Sequence, residues 1–194
     1  MSRIFASLAV VSTASLVATV VIGMNVDVND RFDEWKKVRS HESQQRLEKE
    51  SSAKSTHMMC GVATAIGVLL VSSIAVTYFI GTSRWCREVI EAYSLESDWA
   101  ARSQSLKRRA FHWALTSMLT VMVIVVFGAA ADPATGNSQS ESWVVPHFTV
   151  ALLGVALIGW CFFAMWINIL ANHAIIASVM NRVEEIREQS DGAV

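Results

Sequence analysis

Four stretches of this chain, 4–24, 58–83, 110–131 and 148–174, contain no Asp, Glu, Lys or Arg. Each supplies the roughly 20 residues that a helix needs to cross a hydrocarbon core about 30 Å thick. A soluble helix of that length would show a polar face. Overall 17% of residues are charged, against about 25% in soluble domains, and the deficit is confined to these stretches. The sequence therefore predicts an all-α membrane protein with four transmembrane helices, at about 4–24, 58–83, 110–131 and 147–174, and helical extensions beyond the bilayer. With 194 residues, a single membrane domain leaves no room for a separate soluble one.

The first stretch follows a single basic residue, Arg3. It is longer than the 7–15 apolar residues of a secretory signal and is followed by no small-residue cleavage pattern. An uncleaved anchor is expected. The link 25–57 has no Gly or Pro. It opens on an apolar stripe, Val28, Phe32, Trp35 and Val38, at helical spacing, then turns polar. Glu42 with Arg46 and Glu50 with Lys54 are favourable pairs four apart. A helical link with a turn between residues 40 and 56 is expected.

The link 84–109 carries a stripe of Trp85, Cys86, Val89, Ile90 and Tyr93. Arg84 to Glu88 and Arg87 to Glu91 brace the other face. The run 94–97 reads as a turn with capping residues, with Asp98 opening a new helix. From there Trp99, Ser103, Leu106, Ala110 and Trp113 alternate steps of four and three. Asp132-Pro133 stops the third span, and Gly136-Asn137 signals a turn. The fourth helix is expected to start near Pro146 and to run unbroken to about Gln189. Its tail keeps a heptad seam, Asn172, Ile176, Val179, Val183 and Ile186, which the charged residues avoid. This seam is the expected interaction surface, for a second copy or a membrane-protein partner. The extension would comprise 84–109 and 175–189.

Lys and Arg mark the cytoplasmic side. The link 84–109 carries Lys107, Arg108 and Arg109 against a span, and the link 132–146 carries neither residue type. This places 84–109 and both termini in the cytoplasm, in a cell membrane, with 25–57 on the opposite side. The basic residues of 25–57, Lys36 and Lys37 among them, run against that placement.

No nucleophile–base set, phosphate loop or zinc spacing occurs, so no enzyme, metal or cofactor is expected. The net charge of −1 gives nucleic acid no basic surface. The three cysteines read as small apolar thiols. Histidines alone offer ligands. His57 and His147 begin spans on one side; His112 and His173 lie toward the other. Of these, His112 and His173 make the better haem pair, because Trp113 and Asn172 flank them. His147 and His173 are about 39 Å apart along one helix, so at least one sits at headgroup level, where histidines are ordinary. Asn168 and Asn172, one turn apart, read as a register device. The spans carry no mid-membrane Pro, no charge and no internal repeat, which speaks against a transporter. A structural or interaction protein is the leading expectation, a haem-binding electron-transfer protein the alternative, and a channel or transporter subunit the third.

Overall fold

The computed structural model describes residues 1–24 and 41–191, with 41–51 described by backbone alone. Four helices account for nearly all of it: α1 (Ser2–Met24), α2 (His41–Ala92), α3 (Asp98–Ala131) and α4 (Ser140–Asp191). All four are long and apolar enough to cross a membrane, and among the described residues no strand occurs. Only 17–33% of the most apolar window of each is buried. Val10, Val126, Leu153 and Trp160 point outward. An apolar surface of this extent marks contact with lipid or with other protein.

Several hydroxyls inside the helices are satisfied locally. Thr13, Thr19 and Thr120 each donate to the carbonyl four residues back, at 2.7–2.8 Å. In a medium without water such back-bonding removes an otherwise expensive orphan donor.

α2 is continuous from His41, so the turn expected between residues 40 and 56 does not fall within 41–56. Nothing there breaks a helix: Ser is a poor helix former but not a stop, and the run is rich in Glu, Gln, Lys and Arg. The stripe from Val28 to Val38 lies outside the described residues, as do the side chains of Glu42, Arg46 and Glu50.

The α2–α3 turn closes as a Schellman motif. Leu95 N–H donates to Ile90 O at 3.0 Å and Ser94 N–H to Glu91 O at 3.4 Å. Ser94 takes the left-handed position, φ 50°, where glycine is usual. Ser97 stands at the N-cap of α3 but in helical backbone and without a side-chain cap bond, contrary to the capping role expected of it. Arg84 pairs with Glu88 at 2.8 Å, whereas Arg87 with Glu91 is not among the ion pairs.

The α3–α4 loop is shorter than expected, because α4 begins at Ser140 and not near Pro146. Pro146 lacks an N–H for the Ser142 carbonyl, and early in a helix that costs a single bond. A 3-10 turn, Pro133–Thr135, starts the loop; the Asp132 side chain accepts from Ala134 N–H at 2.9 Å. Gly136 follows at φ 78°, a backbone that side chains resist. Asn137 Nδ2 and Thr135 Oγ1 then donate to the Ala130 and Ala129 carbonyls at the end of α3, where Ala129 also accepts from the Asp132 N–H at 3.2 Å.

Each helix packs on its chain neighbours, α1 closes against α4, and α2 meets α4 across the bundle. The two halves are buried alike. In α1 the buried positions are Phe5, Ala9, Ser12 and Leu16. In α3, at one constant offset, they are Ala110, Ala114, Ser117 and Val121. The same holds for Thr64, Val68, Val71, Ser72, Ala75 and Phe79 of α2 against Gly154, Ile158, Cys161, Phe162, Met165 and Ile169 of α4. An approximate two-fold axis along the bundle thus relates α1–α2 to α3–α4. The spans do contain an internal repeat, against the sequence expectation. It is a repeat of burial, and the residue identities hide it.

Complementary volumes preserve the symmetry. Thr19 Oγ1 meets Thr64 Oγ1 at 3.3 Å. At the equivalent place Ile124 fills against Gly154, where an added Cβ would come within 2.6 Å of Ile124 Cδ1. Ser72 and Ser117 bond at 2.8 Å. Their counterparts are Phe162 and Ser12, and the Ser12 hydroxyl is buried without a partner.

Candidate functional site

Two polar places lie between α2 and α4, one toward each end of the bundle. The first surrounds Asn172, which is fully buried. Its Oδ1 accepts from Ser103 Oγ at 3.0 Å. Its Nδ2 donates to Thr82 Oγ1 at 3.0 Å and to Tyr78 OH at 3.3 Å. One side chain thereby joins α2, α3 and α4. Asn168, a turn earlier, donates to its own helix at Ala164 O, 3.0 Å. Cys86 is fully buried beside this cluster; burial pushes its thiol up, with a Ser103 hydrogen bond pulling the other way. Each polar atom of Asn172 is thus engaged, an arrangement suited to fixing helix register.

The remaining seam residues follow. Val179 and Val183 are buried within the one chain, and Ile176 and Ile186 are half-buried. On the neighbouring helices Cys86, Ile90 and Ser103 are buried, Trp85, Val89, Trp99 and Leu106 are partly so, and Tyr93 is exposed. Tyr93 therefore leaves the packed stripe to which the sequence assigns it. It is the last residue before the left-handed turn at Ser94, where the chain leaves α2.

The second place is formed by histidines. His57 of α2 and His147 of α4 lie with ring centroids 6.4 Å apart and planes at 74°. His57 Nδ1 is 3.1 Å from the Thr19 carbonyl. A carbonyl only accepts, so Nδ1 is the donor, and in the neutral ring the lone pair then lies on Nε2. His147 lies against α3 in the corresponding place, its ring beside Gly128. Its Nδ1 is buried and makes no hydrogen bond of ordinary geometry. Thr19 and Ile124 are equivalent under the two-fold, and so are the two histidines.

Glycines make this arrangement possible. A Cβ at Gly23 would come within 2.7 Å of the His57 ring, and one at Gly128 within 3.1 Å of the His147 ring. Both glycines lie in the two helices that contribute no histidine. At this same end Lys54 pairs with Asp132 at 2.5 Å. Burial raises the Asp132 carboxyl, but Lys54 and the Ala134 N–H outweigh it, and the group is held below its ordinary value.

The histidines preferred on sequence grounds are not brought together. His112 and His173 are both exposed, and among the described residues no ring contact joins them. His112 Nδ1 lies 2.8 Å from Arg108 O in its own helix. Of the histidines paired by depth, the structure brings together His57 and His147, and not the pair flanked by Trp113 and Asn172. A glycine on each partner helix, level with His57 and His147, is the sequence signal for that contact. Among the described residues no group of three His, Cys, Asp or Glu could hold a metal ion. Comparison with protein-family models, curated proteins and solved structures finds no match to this chain.

Proposed function

We propose that the chain is a multi-pass protein of the cell membrane with both termini in the cytoplasm, and that it acts there as a structural or interaction protein rather than an enzyme. Four apolar helices with outward apolar surfaces support the membrane assignment. The basic run Lys107, Arg108 and Arg109 supports the orientation.

One observation carries the functional reading. Past the spans, 84–109 and 175–189 pack their apolar sides inward, with Cys86, Ile90, Val179 and Val183 buried. Arg84, Arg87, Glu88, Arg182, Glu185 and Arg187 stay exposed. The extension is thus a rigid three-helix post with a mixed-charge outer face. That face, not the apolar seam, is what it offers to a membrane-protein partner or a second copy. Charge pairing across such a face selects partners more than it adds affinity.

Light scattering of the full chain in mild detergent tests this reading. An assembly larger than one chain should shrink to one chain when Arg182 and Arg187 are both replaced by Glu. A single-chain mass for both proteins would contradict it.

A further inference from the structure

The geometry points to His57 and His147 as the two axial ligands of one haem iron, held on the two-fold axis of the bundle. The inference is independent of the scaffold reading and rests on four features of the site.

First, the separation fits. Two imidazoles that share one metal in line, each with a metal–nitrogen bond near 2 Å, have ring centroids about 6 Å apart. The observed separation is 6.4 Å. Second, the tautomer fits. Thr19 O takes the Nδ1 proton of His57, which leaves Nε2 as the free donor. A ligating histidine ordinarily has its second nitrogen anchored in this way. His147, the symmetry mate, lies beside Gly128 and holds a buried nitrogen without a bond of ordinary geometry.

Third, the number of ligands selects the metal. No third His, Cys, Asp or Glu joins the pair among the described residues. A bare zinc ion asks for at least three protein ligands. A porphyrin brings four nitrogens of its own and asks for two, one on each face. Histidines on helices that meet across the bundle can supply opposite faces, whereas a pair on one helix could not. Fourth, symmetry agrees. A group on the axis meets equivalent ligands from both halves. At Gly23 and Gly128 the ligand-free helices carry no Cβ, which lets the two rings lie against them. The spans around the pair are apolar, with the Lys54–Asp132 pair at the same end.

Hemin titrated into the purified full-length chain tests the proposal. The native protein should develop a Soret band and, on reduction, the sharp α-band of a six-coordinate low-spin haem. A variant with both His112→Ala and His173→Ala should keep both bands. His57→Ala and His147→Ala should each lose the low-spin spectrum, and free imidazole should restore it. His57→Met should shift the spectrum rather than abolish it, which separates loss of a ligand from loss of fold. The ferric native protein should also give a low-spin bis-imidazole paramagnetic resonance signal. No Soret band in the native protein, a high-spin ferric signal, or a low-spin spectrum that survives the double replacement of His57 and His147 would overturn the assignment.

Discussion

Thr82 and Asn172 occupy equivalent places in the two halves of the bundle, and they bond to each other at 3.0 Å. His57 and His147 are the other pair of equivalents seen in contact, at 6.4 Å between centroids. α2 and α4 therefore meet on the two-fold axis at both ends. One contact is polar and saturated, the other polar and open. That contrast separates a register device from a candidate ligand site.

The saturated contact should be felt as stability. Replacing Asn172 with Leu strands the Ser103 hydroxyl and removes a donor to the Tyr78 hydroxyl and to Thr82, which keeps its own bond to the Tyr78 carbonyl. Interhelical hydrogen bonds in membranes contribute about 0.6 kcal/mol on average and at most about 1.7. With three bonds lost, a loss of about 1–3 kcal/mol is expected in reversible detergent unfolding. Asn168→Leu, which gives up a bond within its own helix, should cost less.

Ser94 should be improvable. It holds the left-handed position of the Schellman turn with φ 50°, a conformation that costs non-glycine residues roughly 1–2 kcal/mol. Ser94→Gly should raise stability by up to about 1 kcal/mol, the gain being reduced by the freer unfolded chain. Ser94→Val should lower it. Thermal unfolding of the two variants gives the comparison.

Acid should release the end of the bundle that holds the histidines. The Asp132 carboxyl is held below its ordinary value, chiefly by Lys54 and the Ala134 N–H acting against burial. A depressed carboxyl stabilises above its unfolded value, about 3.9, and the stability is lost as pH falls through the folded value. Between pH 5 and 8 this contribution should be constant, and it should fade below about pH 4. Asp132→Asn should remove the acid-side slope and cost no more than the 0.2–1 kcal/mol typical of exposed pairs. Unfolding midpoints measured across pH read both effects.

Orientation has a direct test. A reporter active only outside the cytoplasm should be silent when fused after Ser105 and active when placed within 135–140. The opposite pattern would invert the proposed topology.

The span count was legible because charge-free runs are unambiguous in lipid. The helix ends were less so. Pro146 looked like a first-turn residue, yet the helix starts at Ser140, because early in a helix a proline forfeits only one bond. The role of Asn172 was half legible: its heptad position could be read, but Ser103, Thr82 and Tyr78 come from other helices. The internal repeat was illegible because packing conserves volume and not identity. Ile124 against Gly154 does the work of Thr19 against Thr64. His57 and His147 stood level in the sequence, but what brings them together is Gly23 and Gly128, whose meaning appears only once four helices surround them.

One chain closes its own bundle, with α2 in contact with α4. A protein free of native cysteines, carrying Thr82→Cys and Asn172→Cys, measures this directly. Mixed in the membrane with an excess of cysteine-free chains and treated with mercuric ion, the two thiols should bridge within one chain, at a yield that dilution leaves unchanged. Bridging that joins two chains, and that falls as cysteine-free chains are added, would contradict it.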